Sequence, residues 1–77
     1  MKNPFELLVT YAEYRQGFVA EIWLDDVHIA ELYWDEKRGK CLELFSVLEH
    51  GLVVPLEAFQ EIIKAADEKL WPPAIAS

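Results

Sequence analysis

No link between the apolar segments of residues 5–47 is longer than six residues, and this brevity limits the fold more than any other feature of the chain. The segments FELLVTYAEY (5–14), FVAEIWL (18–24), VHIAELYW (27–34) and CLELFSV (41–47) are rich in the β-branched and aromatic residues of strands. RQG (15–17), Asp25-Asp26 and DEKRGK (35–40) join them. Strands joined so closely run antiparallel, because a parallel pair needs a crossover of about a dozen residues or more. A four-stranded meander follows. Gly17 is free to take positive φ in the first turn, and the aspartate pair suits a tight two-residue hairpin.

The period changes after the connector LEHGLVV (48–54). Pro55 fits the first turn of a helix, where its missing N–H has no partner to lose. Beyond it Leu56, Phe59, Ile63, Ala66 and Leu70 recur at spacings of three and four, with Ile62 beside them. That is one stripe of an amphipathic helix over 55–70. Glu57 and Glu61 lie toward its start and Lys64 and Lys69 toward its end, as the helix dipole favours. Trp71-Pro72-Pro73 ends it, since proline disfavours α geometry in the residue before it, and 71–77 form a tail. The expected fold is α+β: a four-stranded antiparallel meander followed by one C-terminal helix packed on one face (ββββα), in a single domain of residues 1–77.

A chain of 77 residues buries only about 60% of its unfolded surface. One helix of sixteen residues is about 24 Å long and about 10 Å wide, enough for most of one sheet face and none of the other. The second face is not polar enough to be left bare. A two-residue loop at Asp25-Asp26 pairs Leu24 with Val27, sets Glu21 opposite Ala30 and sends Glu21 and Glu31 to opposite faces. A three-residue loop would instead set the two glutamates directly across from each other, which like charges disfavour. With the shorter loop, Phe18, Ala20, Ile22 and Leu24 share one face of the second strand, and Val19, Glu21 and Trp23 the other. The third strand divides into Val27, Ile29, Glu31 and Tyr33 against His28, Ala30, Leu32 and Trp34. Each strand thus mixes large apolar side chains with a charge. The recurrences AEIW, AELY and LELF then do not form one acidic array, and much aromatic surface stays wet. Such a patch marks an interaction surface, unless the N-terminal arm, the loops and the Trp71 tail wrap it. The expected interaction face draws on Trp23, Tyr33, Trp34 and Phe45 for contact energy, with Glu21, Glu31 and Glu43 at its rim.

Chemistry has few footholds here. Cys41 is the single cysteine, so an intramolecular disulfide is excluded, and the thiol is expected to pack as a small hydrophobe. His28 or His50 would be its only histidine partners as a nucleophile, and no motif orders either beside it. The same histidines lack the paired spacing of a zinc site. Asp25-Asp26 and Asp35-Glu36 lack the spaced oxygens of a calcium loop, and no glycine-rich phosphate loop is present. No catalytic residue, cofactor or metal ligand is therefore expected. The hydrophobic residues are dispersed among charges, far short of a bilayer span, and Glu6 and Glu13 interrupt any leader-like N-terminus. A cytoplasmic protein without membrane contact is the expectation.

Fourteen acidic residues against seven basic ones give a formal charge of −7, which opposes the counterion exchange of nucleic-acid binding. The element order, four antiparallel strands then a C-terminal amphipathic helix, resembles dimeric PC4-like single-stranded-DNA-binding proteins. That resemblance implies a nucleic-acid binder using Arg15, Lys37, Arg38 and Lys40 on hairpin tips. Glutamates stand on these strands where such a binder carries basic residues. The composition favours a small acidic, non-enzymatic protein-interaction module that self-associates through its uncovered sheet face. Its concrete form is an inhibitor or immunity-type protein for a basic partner.

Overall fold

Asp25 and Asp26 both take positive φ, 49° and 64°, the backbone of a type I′ hairpin turn. In the computed structural model, which describes residues 3–45 and 51–73, this turn joins two strands of a four-stranded antiparallel sheet. The strands are β1 (Phe5–Ala12), β2 (Gly17–Leu24), β3 (Val27–Asp35) and β4 (Gly39–Leu44), in the spatial order β1-β2-β3-β4. One helix, α1 (Leu56–Leu70), follows and packs against the sheet. The α+β meander read from the link lengths is the observed fold.

The strand ends differ from the expected ones. β1 stops at Ala12, because Glu13–Arg15 form a 3-10 turn. Gln16, not Gly17, supplies the positive φ (56°), and its N–H donates to the Glu13 carbonyl at 3.0 Å. Gly17 instead opens β2, paired with Ala12. The turn before β4 is shorter than expected. Asp35 already pairs with Gly39, and its Oδ1 accepts the N–H groups of Lys37 (2.8 Å) and Arg38 (3.0 Å). These backbone donors, Lys37 first, hold the Asp35 carboxyl below its ordinary pKa. The expected end of the fourth strand, Ser46 and Val47, lies outside the described residues.

Leu24 pairs with Val27, as a two-residue turn requires, yet Glu21 lies opposite Glu31 and not opposite Ala30. A β-bulge between the turn and Ile22 causes the shift: Trp23 pairs with His28, Ile22 pairs with Ala30, and Ile29 is the extra residue. Without it Glu31 would stand opposite Ala20, a core residue with no exposed surface. An unpaired carboxylate there costs several kcal/mol, whereas a bulge forfeits one ladder bond, worth about 1 kcal/mol. The bulge wins. It also lets the adjacent residues Ile29 and Ala30 both enter the core.

The core lies between α1 and one sheet face: Phe5, Ala20, Ile22, Ile29, Ala30 and Leu32 meet Ile62 and Ala66 of the helix. Three alanines without exposed surface allow the close approach of helix and sheet. Asn3 ties the chain's start to α1, donating from Nδ2 to the Ala58 carbonyl (2.9 Å), and Phe5 meets Phe59 edge-on at 5.6 Å. Pro55 caps the helix from just outside, and its carbonyl accepts the Phe59 N–H at 2.9 Å. The helix ends before Trp71, as the prolines require.

The helix faces the sheet along Ala58, Ile62 and Ala66, so the expected stripe is rotated. Phe59, Ile63 and Leu70 are half-buried at its edge, and Leu56 is exposed. α1 rests on β1 and β2, and the Lys40 Nζ–Asp67 Oδ1 ion pair (2.8 Å) links it to β4. Leu42 and Leu44, on the same face of β4, keep 41% and 66% of their surface exposed. Coverage therefore falls short on the helix's own side as well. No helix among the described residues is long and apolar enough to cross a membrane.

Asp26→Gly relieves a left-handed backbone that glycine adopts at no steric cost. The variant is expected to gain about 0.5–1 kcal/mol, a rise of a few degrees in Tm, read by thermal unfolding followed by circular dichroism.

Candidate functional site

The bulge aligns three carboxylates. Glu21 pairs with Glu31 and Glu31 with Glu43, forming one row across β2, β3 and β4 on the face away from α1. The glutamates of AEIW, AELY and LELF thus do form one array, which corrects the expectation that a two-residue loop separates Glu21 from Glu31. Glu31 has no exposed surface at all.

The 3-10 turn answers this charge. It brings Tyr14 and Arg15 over the row, so the turn that shortens β1 also closes the site. Arg15 Nε donates to Glu31 Oε2 at 2.8 Å, and Arg15 Nη2 donates to Glu43 Oε1. The guanidinium lies 3.6 Å above the ring of Tyr33, a cation–π contact from the same face. The Tyr14 hydroxyl proton is shared between Glu31 Oε1 (2.5 Å) and Oε2 (2.6 Å). Burial alone would lower the pKa of the Arg15 guanidinium. The hydrogen bonds it donates to Glu31 and Glu43, with the charges of those carboxylates, outweigh burial and raise the value. The Tyr14 phenol is raised first by its hydrogen bond to Glu31, then by burial and by that residue's charge.

The neighbouring row is aromatic. Trp23 pairs with His28, and the two rings stack 4.9 Å apart and 10° from parallel. Phe45 meets His28 edge-on at 4.7 Å, while its N–H donates to the Ile29 carbonyl at 2.9 Å. Trp23 Nε1 donates to Glu21 Oε1 at 3.0 Å.

Of the residues expected on one interaction face, Glu21, Trp23, Glu31, Tyr33, Glu43 and Phe45 are brought together. Trp34 is not. It alternates with Tyr33, points to the helix side and meets Trp71 at 6.5 Å. Glu31 is no rim residue either, since Tyr14 and Arg15 cover it. Cys41 pairs with Tyr33, and four residues of strand, about 13 Å, separate it from Phe45, the β4-side neighbour of His28. Three of the four basic residues offered for nucleic acid are held in ion pairs: Arg15 with Glu31 and Glu43, Arg38 with Asp35, and Lys40 with Asp67. No protein family, curated protein or solved structure gives a significant match to this chain.

Arg15→Met leaves a buried carboxylate without its cation and is expected to cost about 3–5 kcal/mol, a large part of the stability of so small a domain. Glu31→Gln in the same chain recovers part of that loss, as urea unfolding of both variants would show. The raised Tyr14 phenol gives a second expectation, with the sign fixed by linkage. Its contribution is complete below the ordinary tyrosine pKa of about 10 and disappears as pH rises through the folded-state value. Absorbance titration should show the Tyr14 phenol ionising above the ordinary range in the native protein, a displaced component that Tyr14→Phe removes.

Proposed function

We propose that the protein is a non-enzymatic interaction module that works as a homodimer, and that the second copy seats along β4. The exposure of Leu42 and Leu44 beside the half-buried Phe59 and Ile63 of α1 carries this reading. The edge itself adds to it. Among the described residues no strand pairs with the outer side of β4, so its backbone groups are free to extend a sheet.

A two-fold axis through Leu42 suits the side chains. It sets Leu42 against its own counterpart, Lys40 against the partner's Leu44 and Cys41 against the partner's Glu43. An axis through Glu43 would oppose two carboxylates, which is unfavourable. Centred on Leu42, two sheets join into one of eight strands, with both helices on the same side and the leucine strip between them. The contact is isologous and closes at two copies.

Each copy carries a formal charge of −7, so association works against net repulsion, and the same charge draws the module toward basic protein partners. An inhibitor of a basic protein is the form of activity that fits this surface best.

Sedimentation equilibrium should give twice the 8.9 kDa chain mass, with dimerisation strengthening as added salt screens the repulsion. Leu44→Asp should yield a monomer with an unchanged far-ultraviolet spectrum. A wild-type monomer at all accessible concentrations would end the reading.

A further inference from the structure

Among the described residues a cation compensates the glutamate row at one end only. Arg15 bridges Glu31 and Glu43, whereas the group beside the facing pair Glu21 and Glu31 is His28. Its Nε2 is buried and has no hydrogen-bond partner among the described residues. It lies 3.8 Å from Glu31 Oε1, too far for a hydrogen bond. One donor atom from each of Glu21, His28 and Glu31 falls within 4.8 Å of the others. Trp23 and Phe45 clamp the imidazole on two sides.

We propose that Glu21, His28 and Glu31 bind one divalent transition-metal ion, with Zn2+ the ion their donors fit best. Ligand atoms around a tetrahedral zinc at about 2.0–2.2 Å stand roughly 3.3–3.6 Å from one another. The three donors reach that spacing through shifts of about 1 Å at the ends of side chains. Imidazole nitrogen with carboxylate oxygen is a zinc donor set, whereas calcium and magnesium take oxygen throughout. The outer contacts that orient metal ligands are in place. Trp23 Nε1 holds Glu21, while Tyr14 and Arg15 hold Glu31. Charge agrees: three carboxylates and one guanidinium leave two negative charges, which one divalent cation neutralises. The ion bridges β2 and β3 across the bulge, and a fourth position remains for water. This site stands apart from the β4 surface and does not depend on the dimer.

The test is calorimetric titration of the chelator-treated full chain with zinc sulfate at neutral pH, paired with nitrogen-15 spectra of the histidine rings. One equivalent per chain should bind, shifting the His28 ring nitrogens and changing tryptophan fluorescence through Trp23. Glu21→Gln and His28→Gln should each weaken binding at least about tenfold, and His50→Gln should leave it unchanged. Millimolar calcium should not compete. Loss of binding in His50→Gln, wild-type affinity in both site variants, or no uptake at submillimolar zinc would each overturn the assignment. If a site variant fails to fold, the wild-type ring spectrum decides: an unmoved His28 signal at saturating zinc rejects the site.

Discussion

The charge of Glu31 must go somewhere, and most of the sheet's irregularity follows from where it goes. A fully buried carboxylate survives only with a cation and good donors beside it. Arg15 and Tyr14 provide these, and only because β1 stops at Ala12 and the chain turns through a short 3-10 segment. The carboxylate, for its part, reaches them only because β3 carries an extra residue at Ile29. Bulge, turn and ion pair are three parts of one solution. None makes sense without the others.

Size explains the remaining surface. A single narrow helix cannot cover four strands, and this one settles over β1 and β2, where Ala20, Ile22, Ala66 and Ile62 allow the closest approach. On the far face Tyr14 and Arg15 strap Glu31 while Leu8 stays exposed, and β4 is left with an apolar side and, among the described residues, an unpaired edge. Half-exposed Phe59 and Ile63 continue that apolar side onto the helix. The strip along the β4 edge is thus one uncovered apolar surface of the molecule, beside the exposed Leu8 and Tyr14 of the far face.

The element order was legible because it rests on strong local signals: short polar links, the apolar period of three and four after Pro55, and the prolines after Trp71. Strand register was not legible, because it depends on a contest between a bulge and a buried charge that no local pattern resolves. One sign of it stands in the sequence. Ile29 and Ala30 are adjacent and both apolar, followed at once by Glu31, which breaks strict alternation inside a strand. Arg15 looked like a hairpin-tip cation because its three partners come from distant strands. Trp34 shares its residue type with the face of Tyr33 but not its direction, since neighbours in a strand point opposite ways. Leu56 fitted the helical stripe by spacing but lies past the edge of the sheet contact.

Strand β4 is six residues long and works on both sides. Its helix-side leucines look outward to solvent, while Glu43 on the reverse grips Arg15, and the Phe45 amide just beyond it is fastened to the bulge carbonyl. Whatever seats along its rim therefore lies one strand's width from the guanidinium that neutralises the buried carboxylate.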